Sequence, residues 1–104
     1  MAALRNYRPA LSVSSYSLLL TLVRSALSAE PGNLDLSRVW VRLEDANLYQ
    51  TKTTPFYRPS LTLTEFATTY NLVLGEMPPL ESDDFDTYYH LFSSLRRIRA
   101  KQQA

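Results

Sequence analysis

Apolar residues recur at helical spacing in four stretches of this chain. Val13, Tyr16, Leu20, Val23 and Leu27 follow one another at steps of three and four, which puts them on one face of a helix over residues 12–28. Leu19 and Ala26 widen that face, whereas Leu18 and Leu22 lie off it, so this helix is expected to pack on two sides. Pro31-Gly32-Asn33 stops it, through a fixed φ, a missing donor and a permissive backbone in turn. Leu36, Val39, Trp40, Leu43 and Ala46 predict a second helix over 37–50, with Asp35 or Ser37 as its N-cap. Val39-Trp40-Val41 also has strand propensity, so an edge strand competes there, while the Arg42–Asp45 spacing favours the helix.

Residues 51–60 hold Pro55 and Pro59 and no stripe, which predicts an extended connection. Within it, Phe56 and Tyr57 either fold back onto the helices or anchor a partner. A third helix follows over 63–74. Thr62-Leu63-Thr64-Glu65 matches a capping box, Leu63, Phe66, Tyr70 and Leu74 form its expected buried stripe beside Ala67 and Val73, and Gly75 offers a left-handed end before Pro78-Pro79. The fourth helix is expected over 83–100. Asp83, Asp84 and Asp86 sit in its first turn and Arg96, Arg97, Arg99 and Lys101 near its end, each group complementing the partial charge of its own terminus. Phe85, Tyr88, Tyr89, Phe92 and Leu95 make an aromatic stripe, with Leu91 and Ile98 next to it. No internal repeat and no low-complexity segment stands out. The fold class is therefore all-α, a small bundle of three or four helices forming one domain over residues 1–104.

Composition narrows the chemistry. The 104 residues include no cysteine, one histidine and two glycines. A thiol nucleophile, a glycine loop around a phosphate and an imidazole metal centre are thus out of reach. Asp83, Asp84 and Asp86 are the densest acidic cluster, but they lack the glycine and the terminal glutamate of a calcium loop, and a helix start accounts for them. Asp86 and His90 are one helical turn apart and would suit an acid–base pair, yet no nucleophile is tied to them; Ser93 and Ser94 are merely neighbours. The chain reads as no enzyme, with no catalytic residue, metal, cofactor or small-molecule substrate.

Charge adds a location. The net charge of +1 divides into three Arg and no acid over 1–29, ten acids against four bases over 30–95, and Arg96, Arg97, Arg99 and Lys101 at the end. Arg5, Arg8, Arg24 and six serines from Ser12 to Ser28 accompany the amphipathic pattern, the composition of a mitochondrial targeting segment over 1–30. Because that segment carries a regular stripe, it is expected to be kept as a helix of the fold. The uncharged stretch between Arg8 and Arg24 is too short and too rich in serine to span a bilayer.

The terminal run Arg96-Arg97-Ile98-Arg99 suits an acidic protein face, anionic lipid head groups or RNA phosphates; the acidic middle places RNA behind protein. The expectation is a non-catalytic accessory subunit of a mitochondrial inner-membrane complex such as a respiratory complex or the ATP synthase, at the membrane or in the matrix. It would work through other protein subunits, with Phe56, Tyr57, Arg96, Arg97 and Arg99 as contact residues and anionic lipid as a further contact. Two alternatives stay open: a mitochondrial ribosomal or other RNA-associated protein, and a soluble interaction module from a virus or bacterium.

Overall fold

The computed structural model describes residues 4–50 and 55–103. Its described residues form four helices, α1 (Val13–Ala29), α2 (Leu34–Tyr49), α3 (Leu63–Gly75) and α4 (Phe85–Gln103). The all-α expectation holds and the edge strand at Val39-Trp40-Val41 does not form. Three helices begin on an identifiable side-chain cap. Ser12 Oγ accepts from the Ser15 amide, Asn33 Oδ1 from the Leu36 amide and Thr62 Oγ1 from the Glu65 amide. The capping box is complete, because Glu65 Oε1 accepts in return from the Thr62 amide at 2.9 Å.

Several local expectations are corrected. Asn33 caps α2 rather than only ending α1, so α2 starts at Leu34, before Asp35 and Ser37. Gly75 is the last residue of α3 and is not left-handed; no described glycine has positive φ, and the Glu76 amide closes the helix onto the Leu72 and Val73 carbonyls. Asp83 and Asp84 precede α4, which opens at Phe85 and keeps only Asp86 in its first turn. Of the extended connection, residues 51–54 lie outside the described residues.

The largest correction concerns repetition: the chain is a tandem repeat. Tyr7-Arg8-Pro9-Ala10-Leu11 before α1 corresponds to Tyr57-Arg58-Pro59-Ser60-Leu61 before α3, fifty residues later. These two segments pair with each other. Tyr7 and Leu61 exchange both backbone hydrogen bonds, at 3.1 and 2.8 Å, and Leu11 and Tyr57 do the same at 2.8 Å each. Swapping each residue for its counterpart turns one bridge into the other, the signature of a twofold axis. That register places Pro9 opposite Pro59. Neither can donate, which leaves two isolated bridges in place of a continuous ladder.

The symmetry extends inward. Tyr7 stacks on Phe66 at 4.9 Å, and its counterpart Tyr57 stacks on Tyr16, the counterpart of Phe66, at 4.0 Å. Pro9, Leu11, Pro59 and Leu61 are all buried. In α1 the buried positions are Ser15, Tyr16, Leu19, Leu22 and Val23; in α3 they are Glu65, Phe66, Thr69 and Val73, each fifty residues from an α1 counterpart. The second helices match at an offset of 52, with Val39 and Leu43 facing the core as Leu91 and Leu95 do. The extra two residues fall in the longer α3–α4 connection.

This arrangement explains the misplaced stripe residues. Val13, Leu63 and Leu74 were expected inside and are 60, 62 and 51% exposed. Val13 and Leu63 are counterparts at the first position of their helices. As the first residue of its helix each lies at the rim of the core, while Tyr57 and Tyr7 stack on Tyr16 and Phe66 one turn further in.

Helices α1 and α3 each touch all three other helices. Each also packs the second helix of the opposite half, α1 on α4 and α3 on α2, so the halves interlock. The two packing sides expected of α1 are thereby accounted for, and Leu22, off the main stripe, is buried.

A hydrogen bond at Tyr16 has no counterpart in the other half. The Tyr16 hydroxyl donates to the Leu43 carbonyl, and its counterpart Phe66 has no hydroxyl. Burial holds the Tyr16 phenol above its ordinary value of 10.0, with neighbouring Tyr57 and Glu44 adding to the shift. A raised value means that this contribution to stability is complete below pH 10 and is lost as pH rises through the folded value. Tyr16→Phe is therefore expected to cost about 1 kcal/mol at neutral pH. The gap to wild type should close above roughly pH 10. Denaturant melts at pH 7 and at alkaline pH check this, and a gap independent of pH would refute it.

Candidate functional site

The outward side of the bridged segments builds the main cleft. In an antiparallel pair, alternate residues face opposite sides. Here Tyr7, Pro9, Leu11 and their counterparts face the core, which sends Arg8, Ala10, Arg58 and Ser60 outward. Arg8 and Arg58 are counterparts and stand diagonally across the pair. A cleft of about 580 Å³ opens there, lined by Arg5, Arg8, Arg42 and Arg58 with Asp45 and Phe56.

The four arginines are not equivalent. Arg42, on α2, is held by Glu65 of α3 through Nε–Oε1 at 3.2 Å and Nη2–Oε2 at 3.4 Å, a two-pronged contact. The expected Arg42–Asp45 pairing does not form; Arg38 pairs instead with Asp35 at 3.8 Å. Glu65 is 3% exposed and also accepts from the Thr62 amide. Burial alone would push its carboxyl up, but the Thr62 amide and the Arg42 guanidinium outweigh that and hold it below its ordinary value. Arg5, Arg8 and Arg58 make no ion pair among the described residues, and all three are exposed. Asp45 is therefore the acid facing three uncompensated guanidinium groups, with Phe56, 41% exposed, beside them.

The residues expected to meet a partner fall in different places. Tyr57 is committed to the fold through its bridge to Leu11 and its stack on Tyr16, whereas Phe56 turns out into the cleft. Arg96 and Arg97 are exposed on α4. Arg99 lies over the Tyr70 ring at 5.0 Å and so ties α4 to α3. Asp86 and His90 are both exposed, and no hydrogen bond joins them among the described residues. Among those residues there is no group of three that would hold a metal ion. No helix among them is long and apolar enough to cross a membrane.

The arginine cleft was not anticipated, because its residues come from both halves of the chain. The available signal was the Tyr-Arg-Pro-x-Leu segment occurring twice. A second unanticipated feature is an outward apolar line on α2, where Leu34, Val41 and Leu48 are 67, 47 and 76% exposed at intervals of seven residues. No family model, no curated protein and no solved structure matches the chain.

Proposed function

We propose that this chain is a non-catalytic subunit of a larger protein assembly and works by contact. The observation that carries the proposal is the line Leu34, Val41, Leu48. Residues seven apart share a helix face, and at 1.5 Å per residue this line runs for about 21 Å along α2. Arg38, Glu44 and Asp45 lie between these residues on the same face, so the line is three separate exposed aliphatic side chains that a neighbouring subunit would cover, framed by charges it could pair with. The acid-free, Arg- and Ser-containing N-terminal composition supports a mitochondrial assembly, at the inner membrane or in the matrix, such as a respiratory complex or the ATP synthase. Arg96 and Arg97 offer a secondary contact to an acidic subunit face or to anionic lipid.

Native purification of the tagged chain tests this reading. Stoichiometric partner subunits are expected with the wild type, and Val41→Lys combined with Leu48→Lys should release them without altering the melting temperature. A monodisperse monomer with no partner would overturn the contact reading. A fluorescent fusion of residues 1–30 that stays cytosolic would overturn the compartment.

A further inference from the structure

We infer that the arginine cleft is a nucleotide-binding site, with phosphate on Arg8 and Arg58 and a base on Phe56. The inference does not depend on the subunit reading, which rests on the opposite kind of surface, an apolar one.

Two guanidinium groups diagonal across an antiparallel pair lie within reach of one tetrahedral anion, because such positions are about 7–8 Å apart at the backbone. Both are carried by backbone pinned on either side through the Tyr7–Leu61 and Leu11–Tyr57 bridges, so their bases are fixed before any ligand arrives. Arg5 adds a third charge at the same cleft. Three unneutralised charges exceed what one carboxylate requires, and Asp45 makes the site poor for a ligand with scattered acidic groups. A phosphate or successive phosphodiesters supply the matching charge, and the planar fork of arginine binds their oxygens in pairs.

Phe56 completes the case. An exposed aromatic ring beside arginines is the pairing that recognises a base next to its phosphate. Its volume, about 580 Å³, is in the range of sites that hold small ligands. Arg42 fits as a fixed wall, oriented by Glu65 with its side chain 25% exposed. The same chemistry is presented by a free nucleotide and by a single-stranded RNA or DNA, and the two sources differ in how many phosphates follow one another.

Binding to the full chain is measured by fluorescence anisotropy with a labelled 12-residue single-stranded RNA, the matching DNA, and a labelled nucleoside monophosphate, across a salt series. Arg8→Ala with Arg58→Ala should weaken binding more than tenfold while leaving the circular-dichroism spectrum unchanged. If a strand is the ligand, losing two phosphate contacts should flatten the logarithmic salt slope by about 1.4. If a free nucleotide is the ligand, it should bind as tightly as the strand. Phe56→Ala should weaken RNA, DNA and nucleotide but leave inorganic phosphate unaffected. Should the double variant fail to fold, Arg5→Glu takes its place, and it must weaken binding at unchanged melting temperature. Arg96→Ala with Arg97→Ala should have no effect. The inference is overturned by wild-type binding in the Arg8/Arg58 variant, by equal affinity for an acidic peptide, or by no binding to any of these probes at low salt.

Discussion

Truncation of Leu11 or of Leu61 to alanine is expected to destabilise the protein by about 2–5 kcal/mol in each case, and by the same amount within about 1 kcal/mol. The two side chains are 0 and 1% exposed and occupy equivalent places beneath the bridges, so each truncation opens the same kind of cavity. For a domain of this size the melting temperature should fall roughly 4–8 °C per kcal/mol. Because both leucines belong to one buried core cluster, the double variant should depart from additivity. Leu4→Ala, at a position 74% exposed, serves as the control and should shift stability by less than about 0.5 kcal/mol. Thermal and urea unfolding of the four variants decide the matter. A large effect at Leu11 with none at Leu61 would show that the two halves do not share the core equally.

The equality matters because the halves interlock. The buried side of α1 is divided among α2, α3 and α4, and that of α3 among α1, α2 and α4. Neither hairpin keeps its own core to itself. The arginine cleft inherits the same logic: Arg8 comes from one half, Arg58 from the other, and the bridges that align them exist only when both halves are folded.

Local chemistry was legible in the sequence wherever one residue speaks to another a few places away. The Thr62–Glu65 capping box forms as its pattern implies, and Leu36, Val39, Leu43 and Ala46 are buried as their spacing predicts. Periodicity misled at the first turns of α1 and α3. There Val13 and Leu63 obey the stripe, but they open their helices at the rim of the core, and Tyr57 and Tyr7 from distant segments stack on Tyr16 and Phe66 instead. The repeat was hidden because its strict identity is confined to a few positions such as Tyr-Arg-Pro and Leu. Elsewhere it survives only as burial: Tyr16 answers to Phe66, Leu19 to Thr69, Ser15 to Glu65. Arg8 and Arg58 each look like an ordinary loop charge until the pairing sets them on one face.

The Arg42–Glu65 ion pair is a second interaction, beside the Tyr16–Leu43 hydrogen bond, that only one half has. Ser15 and Ser94 stand where Glu65 and Arg42 stand in the other half, so an ion pair joins α3 to α2 while two hydroxyl residues take its place between α1 and α4. Ser94 turns its hydroxyl back to the His90 carbonyl. Glu65→Ala is expected to cost about 2–3 kcal/mol. That is below the roughly 3–5 kcal/mol for breaking a wholly buried pair, because the Arg42 side chain is 25% exposed and regains water. The carboxyl titrates below its ordinary value near 4.5, so its contribution is complete above that value and is lost as pH falls through the lower folded value. The stability gap between wild type and Glu65→Ala should therefore be widest near neutral pH and shrink below about pH 4.5, as urea melts at stepped pH would record. A gap that stays constant into strong acid would mean that the lost contact is packing and not charge. In a chain whose second helices bury similar faces, packing alone distinguishes α2 from α4 weakly. The Arg42–Glu65 pair supplies the difference, since exchanging the two helices would leave Glu65 buried against Ser94 with no cation to meet it.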